Sequence, residues 1–178
     1  MHSMTAAADG LSLCLPMFLP GQITLERGTR DDYAALVHLH YVTGNPATWA
    51  GVWRAAYRDG RDGTNSRVIA VGVLSYPTPS HRVRERVLRL SGPRYGEKLR
   101  FINQHVRTIS RVIVHPQFRG LGIASLLVRR ICEECPTRYV EAIAAMGEVH
   151  PLFEKGGMRK IEGEEGGRAY FFFDRERD

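Results

Sequence analysis

Two glycines one residue apart, in Gln117-Phe118-Arg119-Gly120-Leu121-Gly122, follow a β-branched run that breaks off at Pro116 and precede an apolar-periodic segment. A buried strand, a glycine turn and a helix N-terminus together present unpaired backbone N–H groups and a positive dipole end to one point in space, which is a place for phosphate. Gly120 and Gly122 remove side chains that would block an anion, and Gln117 and Arg119 add donors at its rim. A diphosphate is a natural occupant. Tight packing of strand on helix is the plain alternative, and a bare GxG does not choose between the two. Nucleotide hydrolysis is unsupported, because the phosphate loop GxxxxGK[ST] needs a lysine that does not follow Gly122. A dinucleotide fingerprint fits poorly: residues 115–119 separate the strand from the first glycine and Ser125 stands at the third glycine position, although Glu141 lies near the spacing of a ribose-binding acid.

Other reactive residue types are less specific. Cys132-Glu133-Glu134-Cys135 is a lone C-x-x-C with no second pair, and its glutamates oppose a low thiolate pKa. His38 and His40, two apart on a helix, point to different faces and make poor shared ligands. No metal is expected. Trp49 and Trp53, read as part of one strand, would share a face as core or cleft lining.

The elements that must position the glycine turn alternate along the chain. Ile23 to Glu26 reads as a strand; Thr29 and Asp32 form a capping box for a helix carrying Tyr33, Leu36, Val37 and Tyr41. Thr48 to Tyr57 and Arg67 to Tyr76 read as a hairpin joined through DGRDG. Val106 to Val114 is a strand whose end, Val112-Ile113-Val114, suits burial on both faces. A helix follows from about Leu121 to Glu134, then a strand at Tyr139 to Ala145, a short helix at His150 to Lys155, and a closing hairpin of Met158 to Ile161 with Ala169 to Asp174. The class is α/β with a mixed sheet.

With 178 residues, 43% hydrophobic and 25% charged, the chain fits one domain over residues 21–178. Residues 1–20 form an N-terminal extension whose order composition leaves open. Its apolar stretch LSLCLPMFLPG is short, holds Pro16 and lacks a preceding cation, so it is a poor secretory signal, and no run reaches the roughly 18 apolar residues of a membrane span. Cytoplasmic residence is the expectation, in keeping with three cysteines that are too few and too clustered for a disulfide framework. A net charge of +6 and a pI near 9.5 imply attraction to polyanions. The positive residues are densest from Arg82 to Arg111, read either as a solvated excursion or as a polyanion-binding surface.

Taken together, Gln117 to Gly122 fits the Q/R-x-x-G-x-G/A signature of the GNAT superfamily, the acetyl-CoA-dependent N-acetyltransferases. Its place after a strand and before a long helix fits as well. Leu152-Phe153-Glu154-Lys155-Gly156-Gly157-Met158 resembles the same family's L-Y-E-K-x-G-F segment, and the spacing between the two motifs agrees. The resemblance covers Val106 to Met158. It implies a mixed, mostly antiparallel sheet with a central, splayed parallel strand pair and helices on both faces. Coenzyme A would lie where Arg107 to Val114 and Tyr139 to Ala145 part. Val112, Ile113 and Val114 would line its pantetheine arm, and Gln117, Phe118, Arg119, Gly120, Leu121, Gly122, Ile123, Ala124 and Ser125 its pyrophosphate. Ser125 adds a hydroxyl there or is a local cap.

The implied activity is acetyl transfer from acetyl-CoA to a primary amine of a small molecule or peptide, with the N–H of Val112 as donor to the thioester oxygen. The alternative is a catalytically silent coenzyme A-binding or interaction module. The tyrosine that many family members use to protonate the thiolate falls on Phe153, and an asparagine common at the end of the preceding strand falls on Met146. A substitute proton carrier must come from elsewhere. His150 is one candidate, against a role as helix cap; Glu141 is another, against an interior ion pair with an arginine; Ser110 is a third, against simple packing. Glu141 to Met158 further resembles acetyltransferase-like domains joined to ABC-type ATPases. That likeness implies an ATPase partner in trans and proximity to nucleic acid through the basic Arg82–Arg111 region. A monomer or homodimer is expected.

Overall fold

A computed structural model describes residues 12–13, 21–41, 44–59, 65–90, 92, 94–145, 151–162 and 168–178. Among these, eight strands form one sheet in the order β1-β2-β3-β4-β5-β6-β8-β7. They are β1 (Ser12–Leu13), β2 (Gly21–Arg27), β3 (Gly51–Asp59), β4 (Asn65–Ser75), β5 (Val106–Val114), β6 (Tyr139–Ala144), β7 (Arg159–Ile161) and β8 (Ala169–Asp174). All neighbours are antiparallel except β5 and β6. A single parallel pair in an antiparallel sheet rules out the doubly wound dinucleotide fold, whose strands are mostly parallel.

The helices are α1 (Arg30–Leu36), α2 (Arg82–Val87), α3 (Tyr95–His105), α4 (Ile123–Glu134) and α5 (Leu152–Lys155). On one face of the sheet, Leu127, Val128 and Ile131 of α4 pack with Leu74, Ile109, Val140 and Phe171. Their approach is close: a Cβ on Gly72 in β4 would lie 2.5 Å from Ile131 Cδ1, and one on Gly156 after α5 would lie 2.5 Å from Val128 Cγ1. On the other face, Tyr33 and Leu36 of α1 meet Val52, Val71, Val73 and Ile113. The capping box that starts α1 is present, with Thr29 N–H donating to Asp32 Oδ2 at 2.6 Å and Asp32 N–H to Thr29 Oγ1 at 3.3 Å.

The sequence reading departs from the structure in three segments. The helix α1 ends at Leu36 and passes into a 3₁₀ turn, Val37–Leu39, so Tyr41, expected on the helix, lies beyond it and is exposed. The strand β3 begins at Gly51 rather than Thr48, so Trp49 lies outside it. Trp49 packs edge-on against Tyr33 in the α1 cluster, while Trp53 belongs to the α4 side. The tryptophans therefore do not share a face. The basic stretch from Arg82 is not an open excursion either. It folds as α2 and α3, with Val83 packed on Tyr170 and Phe172, and Ile102 packed on Val106 and Leu90. Part of its charge is spent internally: Arg84 pairs with Glu141, and Lys98 with Glu85.

Candidate functional site

The strands β5 and β6 pair in parallel over four registers only, from Val106↔Tyr139 to Ile109↔Ala142. Beyond Ile109, β5 runs on to Val114 while its other edge stays held by β4 through Ala70↔Val114, Val71↔Ile113 and Gly72↔Val112. The edge of Ser110 to Val114 that faces away from β4 thus has no strand partner among the described residues. His115 N–H donates to Ile69 C=O at 2.8 Å, toward β4. Backbone groups alternate sides along a strand, so Val112 and Val114 present theirs to the opening and Ile113 does not. Ile113 is a correction to the expected lining: its backbone pairs with β4 and its side chain lies under α1. Arg119 reaches back to this edge, its Nε donating to Val114 C=O at 3.1 Å.

The open edge leads into the glycine turn. A short 3₁₀ turn, Pro116–Phe118, is anchored by the buried Phe118 ring, which packs at 5.4 Å from Tyr57 and beneath the Arg67 guanidinium at 5.0 Å. Gly120 and Gly122 then take φ of +83° and +77°, where a side chain is strained. A Cβ on either would meet nothing within 4 Å. Close strand-to-helix packing is therefore not what these glycines serve; they set the turn and leave space beside it.

Gly122 is the N-cap of α4 and no side chain caps it, so Ser125 is not a local cap. The first helical bond runs from Leu126 N–H to Gly122 C=O at 3.1 Å, which leaves the N–H groups of Ile123, Ala124 and Ser125 unspent by the helix. The Leu121 side chain packs on the core and Ile123 is buried, so what both offer a ligand is backbone. A strand edge, an open turn and a positive helix end in succession suit an extended chain with a diphosphate at one end.

Of the expected proton carriers, Glu141 sits where β5 and β6 begin to part, opposite Thr108. Its carboxylate is fully buried and accepts four hydrogen bonds: Arg84 Nη2 at 2.8 Å and Thr108 Oγ1 at 2.7 Å on Oε1, Arg84 Nε at 2.8 Å and Tyr170 OH at 2.7 Å on Oε2. Both oxygens are saturated, so the ion-pair alternative holds and Glu141 has no lone pair left for a substrate proton. Burial, and then the adjacent carboxylate, push the Tyr170 phenol far above its ordinary range, so that hydroxyl stays protonated. Sequence reasoning missed Arg84, Thr108 and Tyr170, because their meeting depends on contacts 57, 33 and 29 residues away from Glu141.

His150 and Met146 lie outside the described residues. Phe153 is buried and stacks on Phe171 at 4.9 Å. Ser110 Oγ lies 2.7 Å from Ser75 Oγ, which donates to Thr48 C=O at 2.6 Å. That chain ties the loop before β3 to the middle of β5. Cys132 and Cys135 are free and buried, and desolvation pushes the Cys132 thiol well above its usual value. Among the described residues no group of histidine, cysteine and carboxylate side chains could hold a metal ion.

Solved structures share this architecture. Arabidopsis thaliana NAA60 in complex with acetyl-CoA superposes with a TM-score of 0.59 at 14% identity, over 86% of this chain and 99% of its own. A GNAT family acetyltransferase of Elizabethkingia anophelis with acetyl-CoA bound gives 0.54 at 14%, over 85% and 97%. The spermidine N-acetyltransferase SpeG of Vibrio cholerae, in a mutant form, gives 0.51 at 12%, over 87% and 95%. At these identities the likeness is one of fold. No curated protein matches the sequence significantly. The acetyltransferase (GNAT) family matches residues 29–157, a span that runs from the cap of α1 through the split strands and the glycine turn to the end of α5, and the chain belongs to that family.

Proposed function

We propose that this chain is an N-acetyltransferase that moves an acetyl group from acetyl-CoA to a primary amine. The observation that carries the reading is the parting of β5 from β6 after Ile109↔Ala142, which frees a strand edge that ends in an open glycine turn and the N-terminus of α4. In this reading Val112 and Val114 pair with the extended arm of the donor, and the N–H groups from Gly120 to Ser125 take its pyrophosphate, those of Phe118 and Arg119 being spent on His115 C=O and Pro116 C=O, with the Gln117 and Arg119 side chains at the rim. When bound, the donor supplies an acetyl thioester; an N–C bond forms, the C–S bond breaks, and one proton leaves the amine while one reaches the thiolate. Val112 N–H stabilises the thioester oxygen, and His150 is the residue we assign to the proton. Glu141 fixes α2 over the base of the cleft rather than moving a proton.

The donor reading is tested by thermal unfolding. Acetyl-CoA at about 100 times its Kd contributes about 2.7 kcal/mol, which in a domain of this size raises Tm by about 5–10 °C. NAD and ATP at the same concentration leave Tm in place. Protection by NAD alone would sink the reading. Gly122→Glu should remove the protection, since it puts a side chain and a negative charge beside the anion site; Gly122→Ala, strained to the same extent by φ of +77° but uncharged, separates lost stability from lost binding.

The likeness to ATPase-joined domains is carried by the sequence of Glu141 to Met158 alone. Nucleic-acid proximity has the exposed Arg82, Arg86, Arg89, Arg94 and Arg100 in its favour. Cytoplasmic residence has composition, and none of the described helices is long and apolar enough to cross a membrane.

A further inference from the structure

We infer that the amine acceptor carries an anionic group, a carboxylate or phosphate, and that Arg111 receives it. The inference rests on the acetyltransferase reading above and names the class of its second substrate. Arg111 stands on β5 just past the last parallel pair, where the register between β4 and β5 shifts and Ser110 is left without a partner, so the bulge re-aims the strand at the mouth of the cleft. Its cross-strand partner is Val73, whose side chain lies in the α1 cluster, and directly opposed residues share a face. Arg111 therefore points to the α1 face, away from α4 and the glycine turn that suits the donor's phosphates.

The guanidinium there is half-buried and under-satisfied. Its Nη1 donates to the carbonyl of the adjacent Ser110 at 2.8 Å, and its Nε is buried with no hydrogen-bond partner. A buried donor left unpaired is costly, and the remedy a planar fork of donors fits best is a carboxylate or phosphate taken side-on. The surroundings have the same sign. The loop tied to β5 through Thr48, Ser75 and Ser110 carries Trp49, packed in the same α1 cluster as Val73, with the Arg30 guanidinium 5.0 Å from its ring. Neither Arg30 nor Arg111 is in an ion pair among the described residues. Asp32 on α1 is held by Arg54 and Thr29, and Glu141 on β6 by Arg84. A polycation finds no free carboxylate among these groups, whereas an amine with an anionic tail can leave that tail on Arg111 and extend its nitrogen along the edge of β5.

The test uses four amines, β-alanine, phosphoethanolamine, n-propylamine and spermidine, on the full chain and on Arg111→Gln and Arg111→Lys. Thermal protection by each amine is read with and without coenzyme A, so the anion site is scored even where the donor reading fails, and turnover is read by thiol release from acetyl-CoA. At least one of β-alanine and phosphoethanolamine should protect and react in preference to propylamine and spermidine, and which of the two does so separates carboxylate from phosphate. Arg111→Gln should weaken that acceptor roughly 10- to 100-fold, the worth of a hydrogen bond to a charged group, in KM rather than kcat. It should leave protection by acetyl-CoA and turnover of propylamine unchanged, and Arg111→Lys should restore part of the loss. Preference for spermidine, absence of protection by both anionic amines, or an equal effect of Arg111→Gln on all four overturns the inference.

Discussion

Arg84→Met should cost about 3–5 kcal/mol in urea-induced unfolding, the typical penalty for leaving one partner of a buried ion pair uncompensated. For a domain whose whole stability is about 5–15 kcal/mol, that is roughly a fifth of the total or more. The size follows from the geometry. Both side chains are fully buried, the two groups meet through two 2.8 Å hydrogen bonds, and Arg84 Nη1 also donates to Thr78 C=O at 2.6 Å. Removing the guanidinium strands a carboxylate that keeps only the Thr108 and Tyr170 hydroxyls. Glu141→Gln should cost a similar amount by stranding the arginine. In the double variant Arg84→Met/Glu141→Leu, no charge remains to desolvate, so its loss should fall well below the sum of the single losses. Because Thr108↔Glu141 is the last pairing but one before β5 and β6 part, the single variants should also weaken protection by acetyl-CoA at temperatures where they remain folded. A loss under 1 kcal/mol in Arg84→Met would mean that α2 is not docked on the sheet.

This pair also marks the limit of what the sequence discloses. Local signals were legible. The capping box of Thr29 and Asp32, the glycine turn after a β-branched run and the apolar stripe of α4 are each written within a dozen residues, and α1 and α4 each begin within two residues of the expected start. The parallel split could be expected only through the family resemblance, since nothing local states which strand lies beside β5. Trp49 was misplaced because period-two alternation does not say where a strand begins. A strand starting three residues later puts Trp49 in a loop that follows α1 instead. The fold of α2 was hidden by composition: arginines dominate the stretch, and its apolar residues Val83, Val87 and Leu88 find partners in β6 and β8 rather than nearby. Arg84 itself looks like any of its neighbours. What sets it apart is a carboxylate on a strand that enters the fold 57 residues later. An acid amid the apolar run Tyr139-Val140-Glu141-Ala142-Ile143 was a sign that some cation must meet it, but the sequence offered many arginines and no means to choose.

His150→Ala should lower turnover by about 10²–10⁴-fold while acetyl-CoA still protects the protein, the range expected when a general acid or base is removed. Some group must take a proton from the ammonium acceptor and return one to the thiolate, and the position where many family members carry a tyrosine holds Phe153, packed on Phe171 with no proton to give. Glu141 is closed by four hydrogen bonds, and the Ser110 hydroxyl is shared with Ser75 and Val73 C=O. Neither has an oxygen free to face the acceptor's ammonium. His150 precedes Pro151 and α5, the segment that follows the expected thiol end, and a histidine's ordinary pKa of about 6.5 matches the task. The sign of the pH effect follows. A base must be neutral to accept the ammonium proton, so kcat/KM should rise with pH through about 6.5 in the natural protein, and that limb should vanish in His150→Ala. A helix-capping role would show the reverse pattern, with lower Tm, little change in turnover per folded molecule, and the limb intact. If turnover and pH profile both survive the substitution, the proton passes to solvent or arrives on an acceptor that is already deprotonated, and the site contributes position and the Val112 N–H alone.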